Sequence, residues 1–309
     1  MAKGLKLLVA FALVALGVLA VSLWLFVRHP LAFSAARERA VLRLSGFRPV
    51  TVTTSAGSLR AWVKGEGRCL VFLHGAGDQA GTWAAVAPAF AQDFRVVLLD
   101  LPGHGASAPV AGPLPLSTLL AGSKEAVQLL CQKGSFLVGN SLGAWLACLL
   151  TADSTLAPAG MVLINGGPLR GHYLGSTLTP ASRAQAREVM RLLLGEAAER
   201  IPGFVLDDVV RAGQGGPIPR LLAALASWEP YLWGEDQLRH VNVPVLLLWG
   251  ADDGLFDRAY AEKLAAFLPQ AQVHFLPRCG HVPQRQCPQA LEAGLRSWLA
   301  NQHGEHVAR

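Results

Sequence analysis

Charge is scarce in this chain: only 16% of its 309 residues are Asp, Glu, Lys or Arg, while 52% are hydrophobic. A chain of this length and composition can bury one large core, and charge this sparse points to a membrane segment as well. Long basic runs interleaved with aromatics are missing, which sets nucleic acid aside as a partner. The net charge of +6 is mild, and Lys3 and Lys6 alone account for two of its positive charges. Cysteines are few and odd in number, Cys69, Cys131, Cys148, Cys279 and Cys287. They lack the spacing of a disulfide framework, and the first three fall in apolar, core-like segments. No disulfide scaffold is therefore expected; Cys279 and Cys287 are the pair that could close if the domain is exported. No metal-ligand spacing joins Cys279 and Cys287 to histidine pairs, so no metal is expected, and there is no internal repeat or low-complexity tract.

What is present begins with an uncharged run from Leu7 to Val27. Twenty-one residues at about 1.5 Å each reach about 31 Å, the thickness of a bilayer's hydrocarbon core. The expectation is a single-pass anchor over residues 1–28. A cleaved signal peptide is the competing reading, with Ala32, Ser34 and Ala36 as small residues, but its apolar region would be about 7 to 15 residues long. Positive charge lies on both flanks, Lys3 and Lys6 against Arg28, Arg37, Arg39 and Arg43, so the flanks do not fix the side of the membrane. Residues 29–46 read as a juxtamembrane segment, in which Ala35 to Ser45 has the charge and alanine content of a short helix ended by Gly46, with Arg37, Arg39 and Arg43 near lipid headgroups.

From Phe47 onward the pattern is that of a globular domain, 47–309. Arg48 to Thr54 and Leu59 to Lys64 flank a Gly-containing turn and suggest a hairpin. Cys69 to Leu73 is a continuous apolar run of the kind buried on both faces of a sheet. Helix-like and strand-like segments then alternate: a helix over Ala80 to Gln92, a strand at Arg95 to Leu99, a helix at Leu116 to Cys131, a strand at Phe136 to Val138, a helix at Leu142 to Leu150 and a strand at Met161 to Ile164. The class is α/β, with a mostly parallel central sheet and helices on both faces. The alternation stops between about 171 and 240, where helix-like runs occur without a convincing strand, so a helical cap is expected there. Its Gly213-Gln-Gly-Gly-Pro217 stretch reads as a joint, since it neither follows a strand nor carries the Lys-Ser/Thr of a phosphate loop. Strand and helix resume from Val243, and the last ten residues look frayed.

In an open parallel sheet, ligands bind at the carboxyl ends of the strands, and polar residues follow each apolar run. After Leu73 come His74, Gly75, Ala76 and Gly77. After Leu99 comes Asp100-Leu-Pro-Gly-His-Gly105. After Val138 comes Gly139-Asn-Ser-Leu-Gly143, whose glycines let a tight turn hold the Ser141 hydroxyl clear of the backbone at a helix N-terminus. After Leu248 come Asp252 and Asp253, and after Leu276 come Gly280 and His281.

Taken in order, these L-H-G, D-x-P-G-H-G, G-x-S-x-G, W-G-x-x-D and G-H elements resemble the cap-bearing serine hydrolases of the α/β-hydrolase fold, over about Phe47 to Ala300. The resemblance implies Ser141 as nucleophile, His281 as general base and acid, and Asp253 as the orienting carboxylate, with Asp252 as its rival. It implies an oxyanion hole from the amides of Ala76 and Leu142, while His74, Asp100 and His104 match the family's structural loop. No cofactor is implied. Gln286 stands where many relatives carry an acidic residue. Asn140 before the serine occurs in relatives that cleave carbon-carbon bonds, but their glycine-proline-rich oxyanion loop is not matched. The activity implied is hydrolysis of a carboxylic ester or related acyl bond of a small, apolar or lipid-like substrate, with Trp228, Tyr231 and Trp233 of the cap shaping the pocket. Acyl transfer, carbon-carbon hydrolysis and a non-catalytic scaffold on the same fold are the alternatives.

Overall fold

In a computed structural model, which describes residues 2–171 and 178–304, the chain opens with two consecutive helices, α1 (Ala2–Arg28) and α2 (Pro30–Leu44). The segment Ala10–Arg28 is apolar and long enough to cross a bilayer, and none of it is buried in the protein. A cleaved signal sequence would have the same character. Pro30 suits the first turn of α2, where its missing N–H costs no helical bond. This second helix lies on the domain and does not stand clear of it: Leu42 is fully buried and joins the same core as Phe47 and Trp62.

Eight strands follow: β1 (Arg48–Thr54), β2 (Gly57–Lys64), β3 (Cys69–Leu73), β4 (Arg95–Leu99), β5 (Phe136–Asn140), β6 (Gly160–Ile164), β7 (Val245–Gly250) and β8 (Ala271–Leu276). They form one sheet in the order β1-β2-β4-β3-β5-β6-β7-β8, antiparallel only where β2 meets β1 and β4. The continuous apolar runs arise because both faces are covered. Along β3, Val71 and Leu73 enter one core while Leu70 and Phe72 enter the other. The helices that cover the sheet are α3 (Leu116–Leu130), α4 (Leu142–Thr151), α9 (Arg258–Phe267) and α11 (Pro288–Gly304), with the short α10 (Pro283–Gln286) leading into α11. This strand order, parallel from β4 through β8, is the mostly parallel sheet with helices on both faces that the sequence leads one to expect. From β3 the chain moves out to β4 and then returns to the far side of β3 as β5. That reversal opens a crevice at the carboxyl ends of β3 and β5.

Between β6 and β7 lie α5 (Arg183–Leu194), α6 (Gly203–Gly215), α7 (Pro217–Leu222) and α8 (Glu235–Arg239); residues 172–177 of the expected cap lie outside the described residues. The insertion is gripped from two sides. Arg220 on α7 donates to the carbonyls of Gly103, Pro109, Ala111 and Gly112. On α6, Asp208 Oδ2 accepts the Leu31 amide at 2.9 Å, Arg211 donates to the Arg28 carbonyl, and Phe204 meets Phe26 edge to face at 5.6 Å. The junction of α1 and α2 is thereby pinned to the insertion.

Several expectations need correction. Ala80 to Gln92 is not one helix but two short 3-10 turns, Ala80–Trp83 and Ala87–Phe90. Gly81 and Pro88 interrupt propagation, and the Gln79 side chain caps the first turn by accepting from the Gly81 amide at 2.8 Å. Within the helical cap expected over about 171–240, α7 ends at Leu222 and a separate 3-10 turn, Leu225–Ser227, follows it. The closing helix continues to Gly304, so the fraying expected of the last ten residues does not begin at residue 300. Most importantly, the cysteines pair: Cys69 with Cys131 and Cys279 with Cys287, leaving Cys148 buried and free. Their apolar settings are no obstacle, because the first bridge joins the start of β3 to the end of α3, a proximity that only the packing of helix on sheet creates.

Candidate active site

Ser141 occupies the turn between β5 and α4 with φ 56° and ψ −116°, a region that non-glycine residues enter at a cost. Its neighbours explain why the turn is held. A Cβ on Gly143 would lie 2.1 Å from the Leu73 carbonyl oxygen, and one on Gly139 would lie 2.2 Å from that of Gly143. Both glycines are therefore demanded by close backbone approach. The turn after β3 comes equally near, since a Cβ on Gly75 would sit 3.2 Å from the Ser141 Cβ. Ala76 and Leu142 line the same pocket as Ser141. Leu142 is the first residue of α4, where amides have no intrahelical acceptor.

His281 follows β8 and is buried, as is Asp253 after β7. The ring Nδ1 donates to Asp253 Oδ2 at 3.0 Å, which puts a proton on Nδ1 and turns Nε2 away from the carboxylate. Asp253 is fixed from every side: Oδ1 accepts the amides of Leu255 at 2.8 Å and Phe256 at 3.1 Å, and Oδ2 also accepts Asn165 Nδ2 at 2.5 Å. Phe256 stacks on the imidazole with centroids 5.7 Å apart. The His281 backbone is held by its amide donating to the Leu193 carbonyl at 2.8 Å and by its carbonyl accepting Asn140 Nδ2 at 3.0 Å. A bond to the Ser141 hydroxyl is not among the described hydrogen bonds of His281; sites of this kind commonly tighten only around substrate. Asp252, the rival carboxylate, is exposed and does not reach the ring.

Sequence-expected loop residues take up positions that explain their chemistry. The Leu101 amide donates to His74 Nε2 at 3.0 Å, so Nδ1 carries the proton and donates to the Gly75 carbonyl at 2.8 Å. Burial pushes the His74 pKa down, and it pushes that of His104 down to about 3. Both rings are neutral structural parts. Asp100 accepts the Ala80 and Ala106 amides at 2.7 and 2.9 Å. Gln286 Oε1 accepts the Gly280 amide at 3.1 Å, closing the His281 turn without a carboxylate. Asn140, whose Oδ1 accepts Gln284 Nε2 at 3.0 Å, is spent on holding loops together.

The pocket, about 310 Å³, lies between the sheet edge and the insertion. Its walls include Trp145, Leu221, Leu225, Trp228, Leu232 and Phe256, with Glu229 at the lining, exposed and 3.6 Å from Arg170. Of the three aromatics expected to shape it, Trp228 does so. Tyr231 instead offers its carbonyl to Trp145 Nε1 at 2.8 Å, and the Trp233 amide donates to the Pro168 carbonyl at 2.7 Å, so these two support the wall from behind. Among the described residues no cluster of His, Cys, Asp or Glu could hold a metal ion. Asn165 was not foreseen. Its position directly after the apolar run of β6, ahead of Gly166 and Gly167, is the one signal in the sequence that could have singled it out.

Residues 70–293 match the model of the Alpha/beta hydrolase family. The chain is 29% identical over 260 residues to the dihydrolipoyllysine-residue acetyltransferase component of the acetoin cleaving system of Pseudomonas putida, covering 79% of this chain and 67% of that protein, about two thirds of its length. It is 27% identical over 264 residues to a 2-hydroxy-6-oxononadienedioate/2-hydroxy-6-oxononatrienedioate hydrolase of Comamonas testosteroni, covering 77% and 89% of the two chains. Among solved structures, a bacterial membrane phospholipase A superposes with a TM-score of 0.75 at 22% identity over 98% of this chain and 99% of that one, a likeness of fold.

Proposed function

Since this chain belongs to the alpha/beta hydrolase family and is a hydrolase, we propose that it cleaves a carboxylic ester or related acyl bond through an acyl-enzyme on Ser141. In this reading the Ser141 hydroxyl attacks the substrate carbonyl while His281 Nε2 takes its proton. Asp253 keeps the opposite nitrogen protonated and stabilises the imidazolium that forms. Negative charge on the former carbonyl oxygen meets the amides of Ala76 and Leu142, each worth about 3 to 4 kcal/mol by the effect of deleting comparable donors. His281 then gives the proton to the leaving alcohol, and a water molecule repeats the sequence on the acyl-enzyme. The observation that carries the reading is the 3.0 Å contact of His281 Nδ1 with a carboxylate held by three further donors, beside a pocket lined by Ser141.

An apolar or lipid-like substrate suits walls built from leucine and tryptophan. The insertion acts as a cap over that pocket, and α1 serves as a single-pass anchor. The two disulfides support a domain on the oxidising side of the membrane, because cytosolic thiols are kept reduced. Replacing Ser141 by Ala is expected to lower turnover of a short p-nitrophenyl ester by at least a thousandfold and to abolish fluorophosphonate labelling; retained turnover in a clean preparation would remove the serine from its role. Acyl transfer is the second reading, motivated by the relative named as an acetyltransferase component. Product analysis with competing alcohols or thiols separates it from hydrolysis.

A further inference from the structure

Three stretches distant in the chain meet at the guanidinium of Arg285, which sits on α10 four residues after His281. Its Nη2 donates to Asp78 Oδ1 at 2.8 Å and to Glu38 Oε2 at 3.1 Å, and its Nε lies 3.1 Å from Glu38 Oε1. Glu38 belongs to the juxtamembrane helix α2. Asp78 ends the turn that carries Ala76, a turn closed by the Asp78 amide donating to the Gly75 carbonyl at 3.3 Å. Gln79 ties the same parts a second time, donating from Nε2 to Glu38 Oε2 at 2.7 Å and from its amide to Asp78 Oδ1 at 2.9 Å. The helix is close enough that a Cβ on Gly81 would lie 2.9 Å from the Glu38 Cβ.

This is not an ordinary surface ion pair. The side chains of Glu38 and Asp78 are only 12% and 15% exposed. Burial raises the Glu38 pKa, and Arg285 opposes that rise. Two half-buried carboxylates share one planar fork, which fixes angles as well as distances in a way that an ammonium would not. The elements that the fork joins are the turn bearing Ala76 and the loop bearing His281, whose relative placement matters to about 1 Å in acyl transfer.

We propose that Glu38 and Arg285 are positioning residues, through which the juxtamembrane helix holds the Ala76 turn and the His281 loop in working alignment. The helix that leaves the membrane is then a structural part of the hydrolytic site and not only a tether. This inference rests on the roles given above to Ala76 and His281.

The test uses the full chain in detergent micelles, with active sites counted by fluorophosphonate titration and turnover measured on p-nitrophenyl butyrate. Glu38→Gln and Arg285→Gln are each expected to lower kcat per labelled site about tenfold or more, with KM within about twofold. The double variant should be little worse than the poorer single one, as for groups acting as a unit. Arg285→Lys, which keeps the charge and loses the fork, should recover only part of the rate. Unchanged kcat per site in both single variants, with or without a fall in Tm, would overturn the proposal, as would an effect confined to KM. Should Glu38→Gln fail to fold, Asp78→Asn, which neutralises one carboxylate, is read by the same measure. Absence of Ser141-dependent labelling in the unmodified chain would instead overturn the underlying site assignment, and the inference with it.

Discussion

Replacing Asp253 by asparagine puts an amide where four donors converge. The carboxylate accepts from the Leu255 and Phe256 amides through Oδ1 and from His281 Nδ1 and Asn165 Nδ2 through Oδ2. Asparagine has one acceptor oxygen. Turning its NH₂ toward the two backbone amides would leave two buried N–H groups unsatisfied, at about 1 to 3 kcal/mol each. The oxygen therefore stays with the backbone and the NH₂ faces His281 and Asn165. Asn165 has little freedom to relieve this, because its own oxygen accepts the Gly250 amide at 3.0 Å. His281 can escape by moving its proton to Nε2, which removes the nitrogen that takes the Ser141 proton in the proposed mechanism. A base in the wrong tautomer costs about 10⁴ in kcat where the same carboxylate is neutralised in a serine protease, or about 5.4 kcal/mol at 1.36 kcal/mol per tenfold. The assay is steady-state hydrolysis of a p-nitrophenyl ester, normalised to folded protein by circular dichroism. Asp252→Asn is the control, expected to stay within about twofold because the side chain is exposed. Asp253→Asn retaining more than a tenth of wild-type kcat would refute the reasoning.

Three further outcomes follow from the same geometry. His104 is held neutral by burial with its pKa lowered to about 3, so between that value and about 6.5 the unfolded chain binds a proton that the folded one does not. Its contribution to stability is complete above about pH 6.5 and is lost as pH falls toward 3, at up to about 1.4 kcal/mol per pH unit; His104→Asn should flatten the pH dependence of Tm in that window, and an unchanged slope would contradict it. Gly143→Ala should cost about 3 kcal/mol or more in urea denaturation, because the added methyl meets the Leu73 carbonyl. Removing the Cys279–Cys287 bridge, which brackets His281, should lower kcat several-fold, whereas removing Cys69–Cys131 at the opposite end of β3 should lower Tm and leave kcat within about twofold; equal effects on kcat would argue against a positioning role for the Cys279–Cys287 bridge.

Much of the fold was legible in the apolar runs. Cys69 to Leu73, Arg95 to Leu99 and Val245 to Leu248 carry enough consecutive buried side chains to mark strands covered on both faces. Ala80 to Gln92 misled because alanine-rich composition favours a helix on paper, while one glycine and one proline suffice to stop it from propagating. The choice between Asp252 and Asp253 is similar in kind. Both stand in the same short turn, and only the approach of Leu255, Phe256 and Asn165 turns one inward and leaves the other in water.

What the sequence determined by itself is local: the glycines that a tight serine turn requires, the apolar length of the first helix, and the order of the motif-bearing strand ends. These follow from sterics and hydrophobicity acting over a few residues. What tertiary structure alone decided is who meets whom. Cys69 finds Cys131, Asn165 braces Asp253, and Glu38 reaches Arg285 across 247 residues. Such pairings depend on how helices settle against the sheet, and no interval along the chain encodes a distance through space.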